Sequence, residues 1–299
     1  MKLHIHLGAH KTGSTSLQFH LRKNEAKFAD AGMAYIPMPE FRKRYSAFLN
    51  RIENRYPAFI RLLSPTIESR FRDQLVPSSG SSLVVISDEN LLGGLAPIAA
   101  KHRLYPHAVR MVSAVKRAAG PNDAHYFLCI RNYPEFIVSM YLHLVIQGRR
   151  VPPLESVTAD FLGGARGWAE VVADVANVVG ADRLTVWTYE HYRDAPGAVL
   201  DVLAPGVPVE LFVPPGNLAI NRSLTAKGWQ VMEALQDILT RTELASMGTL
   251  IRKFPFEEPN PKVVLDDPEA LAELDDKYRR DKNAIVALGC RLLDGARAV

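Results

Sequence analysis

Cysteine is nearly absent: two residues in a chain of 299. That excludes a disulfide framework and makes a reducing compartment, the cytoplasm, the expected one. Long apolar runs are missing as well. No stretch approaches the roughly 20 consecutive apolar residues that cross a bilayer, and Met1–Leu7 alternates like a strand without the apolar core of a signal peptide. There is no internal repeat and no low-complexity linker. What is present is ordinary for a globular protein, with 47% apolar and 23% charged residues, which excludes disorder, collagen and coiled coil.

The net charge of +4 hides an asymmetry. Residues 1–150 carry 21 Lys and Arg against 10 Asp and Glu, whereas residues 151–299 carry 15 against 22. Eight of the nine histidines also lie in the first half. A basic half fits nucleic acid, an anionic surface or a small polyanionic ligand, and motifs must choose among these.

Short apolar runs at Leu3–Leu7, Met33–Ile36, Leu83–Ser87, Tyr126–Ile130 and Leu184–Thr188 read as strands. Between them, Ser14–Ala29, His107–Ala118, Pro134–Gln147 and Trp168–Val179 have helical periodicity. Strands separated by helices, with little alternation inside the strands, predict a parallel sheet buried on both faces. The expected fold is a three-layer α/β/α sandwich in one domain over 1–299. Residues 40–80 form a basic helical insertion, and 223–299 a helical C-terminal region.

The first strand runs into Gly8-Ala-His-Lys-Thr-Gly13 and then Ser14, Thr15 and Ser16. Gly8 and Gly13 have the spacing of a phosphate-binding loop. Glycines let backbone N–H groups converge on an anion, and the following helix places its positive end there. Three hydroxyls stand ready to donate to the same anion. The alternative is a tight turn with ordinary capping by Ser14 or Thr15. A nucleotide triphosphatase needs Lys directly after the second glycine. Here that position is Ser14, and the lysine is Lys11 inside the loop.

The stretch Lys11–Ser16 resembles the loop of sulfotransferases that use 3′-phosphoadenosine 5′-phosphosulfate (PAPS), whose pattern is Lys-[Ser/Thr]-Gly-[Ser/Thr]-[Ser/Thr] after the first strand. Gly8–Gln18 follows a form common in bacterial members. The resemblance implies a P-loop-like fold in which His10, Lys11, Thr12, Gly13, Ser14, Thr15 and Ser16 surround the 5′-phosphosulfate and Lys11 contacts its bridging oxygen. A second stretch matches independently. The family carries Arg-[Asp/Asn]-x6-Ser-x-Tyr, and Arg131, Asn132, Ser139 and Tyr141 fit it in identity and spacing. Read alone, these are a capping arginine and a solvent serine. The resemblance makes Arg131 and Ser139 the 3′-phosphate site. Tyr189-Glu190 resembles the strand end near the adenine, and Arg222, before the C-terminal helices, a second cation for the 3′-phosphate. Ser16 stands where many animal members place an aromatic residue, so adenine stacking stays open.

The activity implied is transfer of a sulfuryl group from PAPS to an acceptor hydroxyl or amine, leaving 3′,5′-adenosine bisphosphate, with no metal required. Glu89, just past the third strand, is the expected base, with His10 and Asp88 in reserve. A base of this kind is best served by a pKa raised through partial burial. A carbohydrate, including an anionic glycan or lipid-linked sugar, is the first expectation for the acceptor.

Three rival readings remain. A P-loop kinase or ATPase would use Asp88-Glu89 as its second motif but lacks Lys at position 14. A zinc hydrolase would use His4 and His6, which read better as packed strand residues. A nucleic-acid-binding module would use the basic run Arg42, Lys43, Arg44, Arg51, Arg55 and Arg61, which a solvated helical face explains more often than a nucleic-acid site does.

Overall fold

The computed structural model describes all residues except 61, 79, 96–97, 99–102, 209–222 and 296–299, with residues 57 and 77 described by backbone alone. Six strands form one parallel sheet: β1 Lys2–His6, β2 Met33–Ile36, β3 Leu83–Ser87, β4 Asp123–Ile130, β5 Leu184–Thr188 and β6 Arg291–Leu293. The spatial order is β2-β3-β1-β4-β5-β6. β1 lies in the middle, with His6 opposite Ser87 of β3 and Phe127 of β4. The segments that follow β1, β3, β4 and β5 therefore leave from one edge, the place where parallel sheets bind ligands.

Strand alternation builds the two outer layers. Leu3, Ile5, Val84, Ile86, Leu128 and Val186 face the helices Ala108–Ala119, Tyr133–Ile146 and Trp168–Val179. Val85, Phe127, Cys129 and Trp187 face the helices Ser14–Lys23 and Pro196–Leu203. Both faces are covered, which is why the strands read as continuous apolar runs. His4 and His6 lie on this second face as hydrogen-bonded strand residues. His4 Nδ1 is 2.7 Å from the Leu203 carbonyl. His6 Nδ1 is 2.8 Å from Ser87 Oγ, and its ring stacks on Trp187.

The structure differs from the sequence reading at two elements. The segment 14–29 is two helices, Ser14–Lys23 and Glu25–Asp30, broken at Asn24. The Asn24 side chain donates to the His20 carbonyl at 2.8 Å, the local competition that disfavours Asn inside helices. The C-terminal region contains β6 as well as helices. Three half-exposed residues on the sheet edge carry too little apolar pattern to signal a strand. The insertion is helical as expected, with helices at Ala47–Arg55 and Ser64–Leu75 and a five-residue π-helix at Arg42–Ser46. Among the described residues no helix is long and apolar enough to cross a membrane.

The turn out of β1 fixes the geometry of the ligand edge. Gly8 has φ of 65°, and a Cβ there would lie 2.5 Å from Glu89 Cα. Two backbones touch, and only glycine satisfies both the left-handed conformation and the contact. Gly8→Ala is expected to cost about 2–5 kcal/mol, combining left-handed strain with overpacking. The urea midpoint reads it, and a change below about 0.5 kcal/mol would show that the contact is soft.

Candidate active site

Gly13 stands in the left-handed conformation at the start of the helix Ser14–Lys23, which has no side-chain cap. The capping alternative for Ser14 is thus not realised. Ser14 Oγ and Thr12 Oγ1 both donate back to the Ala9 carbonyl, at 3.2 and 2.7 Å. Those two hydroxyls hold the loop shape rather than cap the first turn of the helix. Thr12 is buried. Thr15 and Ser16 are exposed on the open side, and Tyr192 donates to Ser16 Oγ at 3.4 Å.

Lys11 has φ of 68° and is half-buried. Among the described residues no acidic group pairs with its ammonium. Burial lowers its pKa to about 8, helped by Arg131 and Arg252 and opposed by Glu89. A half-buried cation among cations is the electrostatic signature of a site built for an anion.

Arg131 leaves β4 toward this loop. Its Nη1 donates to the Lys11 carbonyl at 2.8 Å, and its Nε and Nη2 donate to Glu135 Oε2 at 3.2 and 2.5 Å. The guanidinium lies 4.4 Å from the Tyr189 ring centroid. Tyr189 also covers Gly13, where a Cβ would be 2.9 Å from the ring. Two motifs 120 residues apart in the chain are thus joined by one hydrogen bond and one aromatic ring. Asn132, not Arg131, caps the next helix, accepting from Glu135 N at 2.9 Å. Glu190 fixes that turn: its Oε1 accepts from Asn132 N and Nδ2, and its Oε2 accepts from Tyr278.

Ser139 is half-buried on the helix Tyr133–Ile146. It shares a face with Glu135 and His143, four residues to either side. Glu135 binds Arg131. His143 is held down to about 4 by burial first, then by Lys11 and His10. That face therefore points at the loop. Arg222 lies outside the described residues. Arg252, at the end of the helix Arg241–Ile251, adds positive field at Lys11 and His143.

Glu89 sits against Gly8, as its position after β3 implies. Gln18 Nε2 donates to its Oε2 at 2.8 Å, and Arg42 Nη2 lies 2.9 Å from its Oε1. Here the expected pKa direction is corrected. Burial does push the carboxyl up, but His10, Arg42 and the Gln18 hydrogen bond outweigh it, and Glu89 is lowered to about 2. His10 is lowered to about 4, chiefly by burial, and its backbone N–H donates to Tyr105 Oη at 2.6 Å. Asp88 is fully buried. Arg42 and Asn90 N occupy its Oδ1, and Ser46 donates to its Oδ2. These bonds make Asp88 a structural group, leaving it free neither as a base nor as the metal-holding acid of a kinase.

Arg42 and Arg252 escape sequence reading, the first hidden among neighbouring cations and the second without a local pattern. Glu190 stood in the Tyr-Glu match, but its hold on Asn132 did not show there. Gln18 carried a signal, as the last residue of the loop form that Gly8–Gln18 resembles.

No family model matches the chain, and no curated protein matches it. Two solved structures are similar to it. The sulfotransferase from Alicyclobacillus acidocaldarius has a TM-score of 0.46 at 16% identity, covering 97% of this chain and 96% of that one. The sulfotransferase domain from the curacin biosynthetic pathway has a TM-score of 0.39 at 14% identity, covering 97% and 98%. Likeness this distant bears on neither activity nor substrate.

The lowered Lys11 pKa has a measurable consequence. Above pH 8 the free loop holds a growing fraction of neutral amine, and a bound polyanion restores the cation. Binding of inorganic pyrophosphate should take up a proton and weaken by up to about tenfold per pH unit well above 8. Calorimetry in buffers of different ionisation enthalpy reads the uptake. Lys11→Met should abolish it, and affinity independent of pH would remove Lys11 from the anion's contacts.

Proposed function

We propose that this chain is a PAPS-dependent sulfotransferase. The observation that carries the reading is the bond from Arg131 to the Lys11 carbonyl. It brings together the two stretches that resemble the family's 5′- and 3′-phosphate sites. The residues present fit a nucleotide anionic at both ends: Lys11 is a half-buried cation without an acidic partner among the described residues, and an uncapped helix start stands beside it.

Lys11, the first-turn N–H groups of Gly13–Ser16 and the Thr15 and Ser16 hydroxyls hold the 5′ end. Arg131 and Ser139 hold the 3′-phosphate, with Arg131 exchanging Glu135 for the ligand. Tyr189 flanks the nucleotide. PAPS supplies an activated sulfuryl group with a phosphate as its leaving group. Lys11 and the helix N-terminus stabilise the charge that develops on that leaving oxygen. Glu89 accepts the proton of the acceptor hydroxyl or amine.

A Glu89 pKa near 2 is compatible with this role. Transfers of this kind pass through loose transition states. The acceptor's proton becomes strongly acidic only as the new S–O bond forms, and then a weak base suffices. The carboxylate's task is to be ionised and aimed. A carbohydrate hydroxyl is the first candidate for the acceptor, and labelled PAPS with cell extracts identifies it.

Calorimetry with 3′,5′-adenosine bisphosphate and with AMP tests the donor. The bisphosphate should bind at least about tenfold tighter, a margin of 1.4 kcal/mol. Equal affinity would refute a 3′-phosphate site. Arg131→Ala should erase most of that margin, and an unchanged margin removes Arg131 from it. Glu89→Gln should keep nucleotide affinity and lose about 10²-fold or more in transfer rate. Transfer at the wild-type rate would mean that another group takes the proton.

A further inference from the structure

The basic run of the insertion divides sharply in space. Lys43, Arg44, Arg51 and Arg55 are exposed to solvent. Arg42 alone, among the described members of the run, turns inward. Its guanidinium donates to Asp88 Oδ1 from Nη2 at 2.6 Å and from Nε at 3.2 Å, and the same Nη2 is 2.9 Å from Glu89 Oε1.

Arg42 is the first of three polar residues spaced by four. Ser46 donates to Asp88 Oδ2. Asn50 Nδ2 donates to the Asn90 carbonyl at 2.8 Å. Together they grip the backbone and side chains of Asp88–Asn90, the turn that carries Glu89. The π-helix Arg42–Ser46 begins this stripe. Its wider turn is an irregularity that occurs often at functional sites. Asp88 has no catalytic freedom, as described above, and its burial anchors the arginine.

We propose that Arg42 is a positioning residue of the transfer reaction: bridging Asp88 and Glu89, it holds the Glu89 carboxylate ionised and aimed at the acceptor. The inference rests on the reading of Glu89 as proton acceptor. It also gives the insertion a function, since Arg42, Ser46 and Asn50 tie it to the site.

The charges around Glu89 set the sign of the effect. From the loop after β1 it faces His10 and Lys11, with His6 beneath on the strand. From its own turn it faces Asp88, and from the insertion Arg42. Tyr105 and His143 stand further off. Burial raises its pKa, and His10, Arg42 and the Gln18 hydrogen bond lower it. Without Arg42 the balance shifts upward, toward or past the ordinary carboxylate value of about 4.3.

The test uses two readouts. Carbon-13 NMR of the Glu89 carboxylate follows its titration directly in wild type and Arg42→Gln. The acid limb of kcat/KM for sulfuryl transfer follows its effect on the reaction. Both should move up by about one pH unit or more in the variant, while affinity for 3′,5′-adenosine bisphosphate stays within about twofold. Arg42→Gln leaves Asp88 without its cation, so thermal unfolding is followed alongside. Arg42→Lys keeps a charge beside Asp88 without the fork that bridges both carboxylates, and should give an intermediate shift in a folded protein. A Glu89 titration or an acid limb that does not move in either variant overturns the inference, since a merely structural arginine would lower rate without moving the limb. Absence of transfer by the wild type, or full transfer by Glu89→Gln, overturns the functional reading and the inference with it.

Discussion

Everything at the ligand edge is arranged around the meeting of two backbones at Gly8 and Glu89. A Cβ at Gly8 would lie 2.5 Å from Glu89 Cα, so the turn leaving β1 and the turn leaving β3 are packed as one unit. That contact decides how far Lys11 can stand from Glu89 and where the helix Ser14–Lys23 begins. It follows from β1 lying between β3 and β4 with all strands parallel. Side chains elsewhere on this edge arrange themselves around a distance that the backbone sets.

Charge is then partitioned across that unit. On one side burial, then the charges of Arg131 and Arg252, lower the Lys11 pKa. On the other side Asp88 and Glu89 share Arg42. A bare cationic pocket next to a carboxylate already neutralised by its own arginine is an economical way to keep the two from collapsing onto each other.

The insertion shows why a charge run is ambiguous in sequence. Arg42 and Arg44 are two residues apart and face opposite environments, one against Asp88 and one in solvent. Composition counts them equally. A helical stripe of Arg42, Ser46 and Asn50 could have been written from the sequence, but nothing local says that its target is Asp88, 46 residues away along the chain. The same holds for Glu190, which steadies Asn132 from 58 residues away, and for the pKa of Glu89. Burial alone argued for a raised value, and only the positions of Arg42, His10 and Gln18 reverse the sign.

What the sequence determined by itself was whatever is local or periodic. Apolar runs interrupted by helices specify a parallel sheet, and five of its six strands lie where those runs lie. Gly8 and Gly13 mark the tight turn between β1 and the next helix because backbone conformation is a near-neighbour property. Arg131 and Ser139 read alone as a capping arginine and a solvent serine, and only the family resemblance pairs them. Tertiary structure decided the rest: that Arg131 reaches the Lys11 carbonyl, that Thr12 and Ser14 turn their hydroxyls inward, that Asp88 is buried with Arg42, and that a three-residue strand closes the sheet. The physical reason is one of range. Dihedral preferences and hydrophobic period act over a few residues, whereas ion pairs and pKa shifts depend on which distant segments the packed sheet brings within a few ångströms.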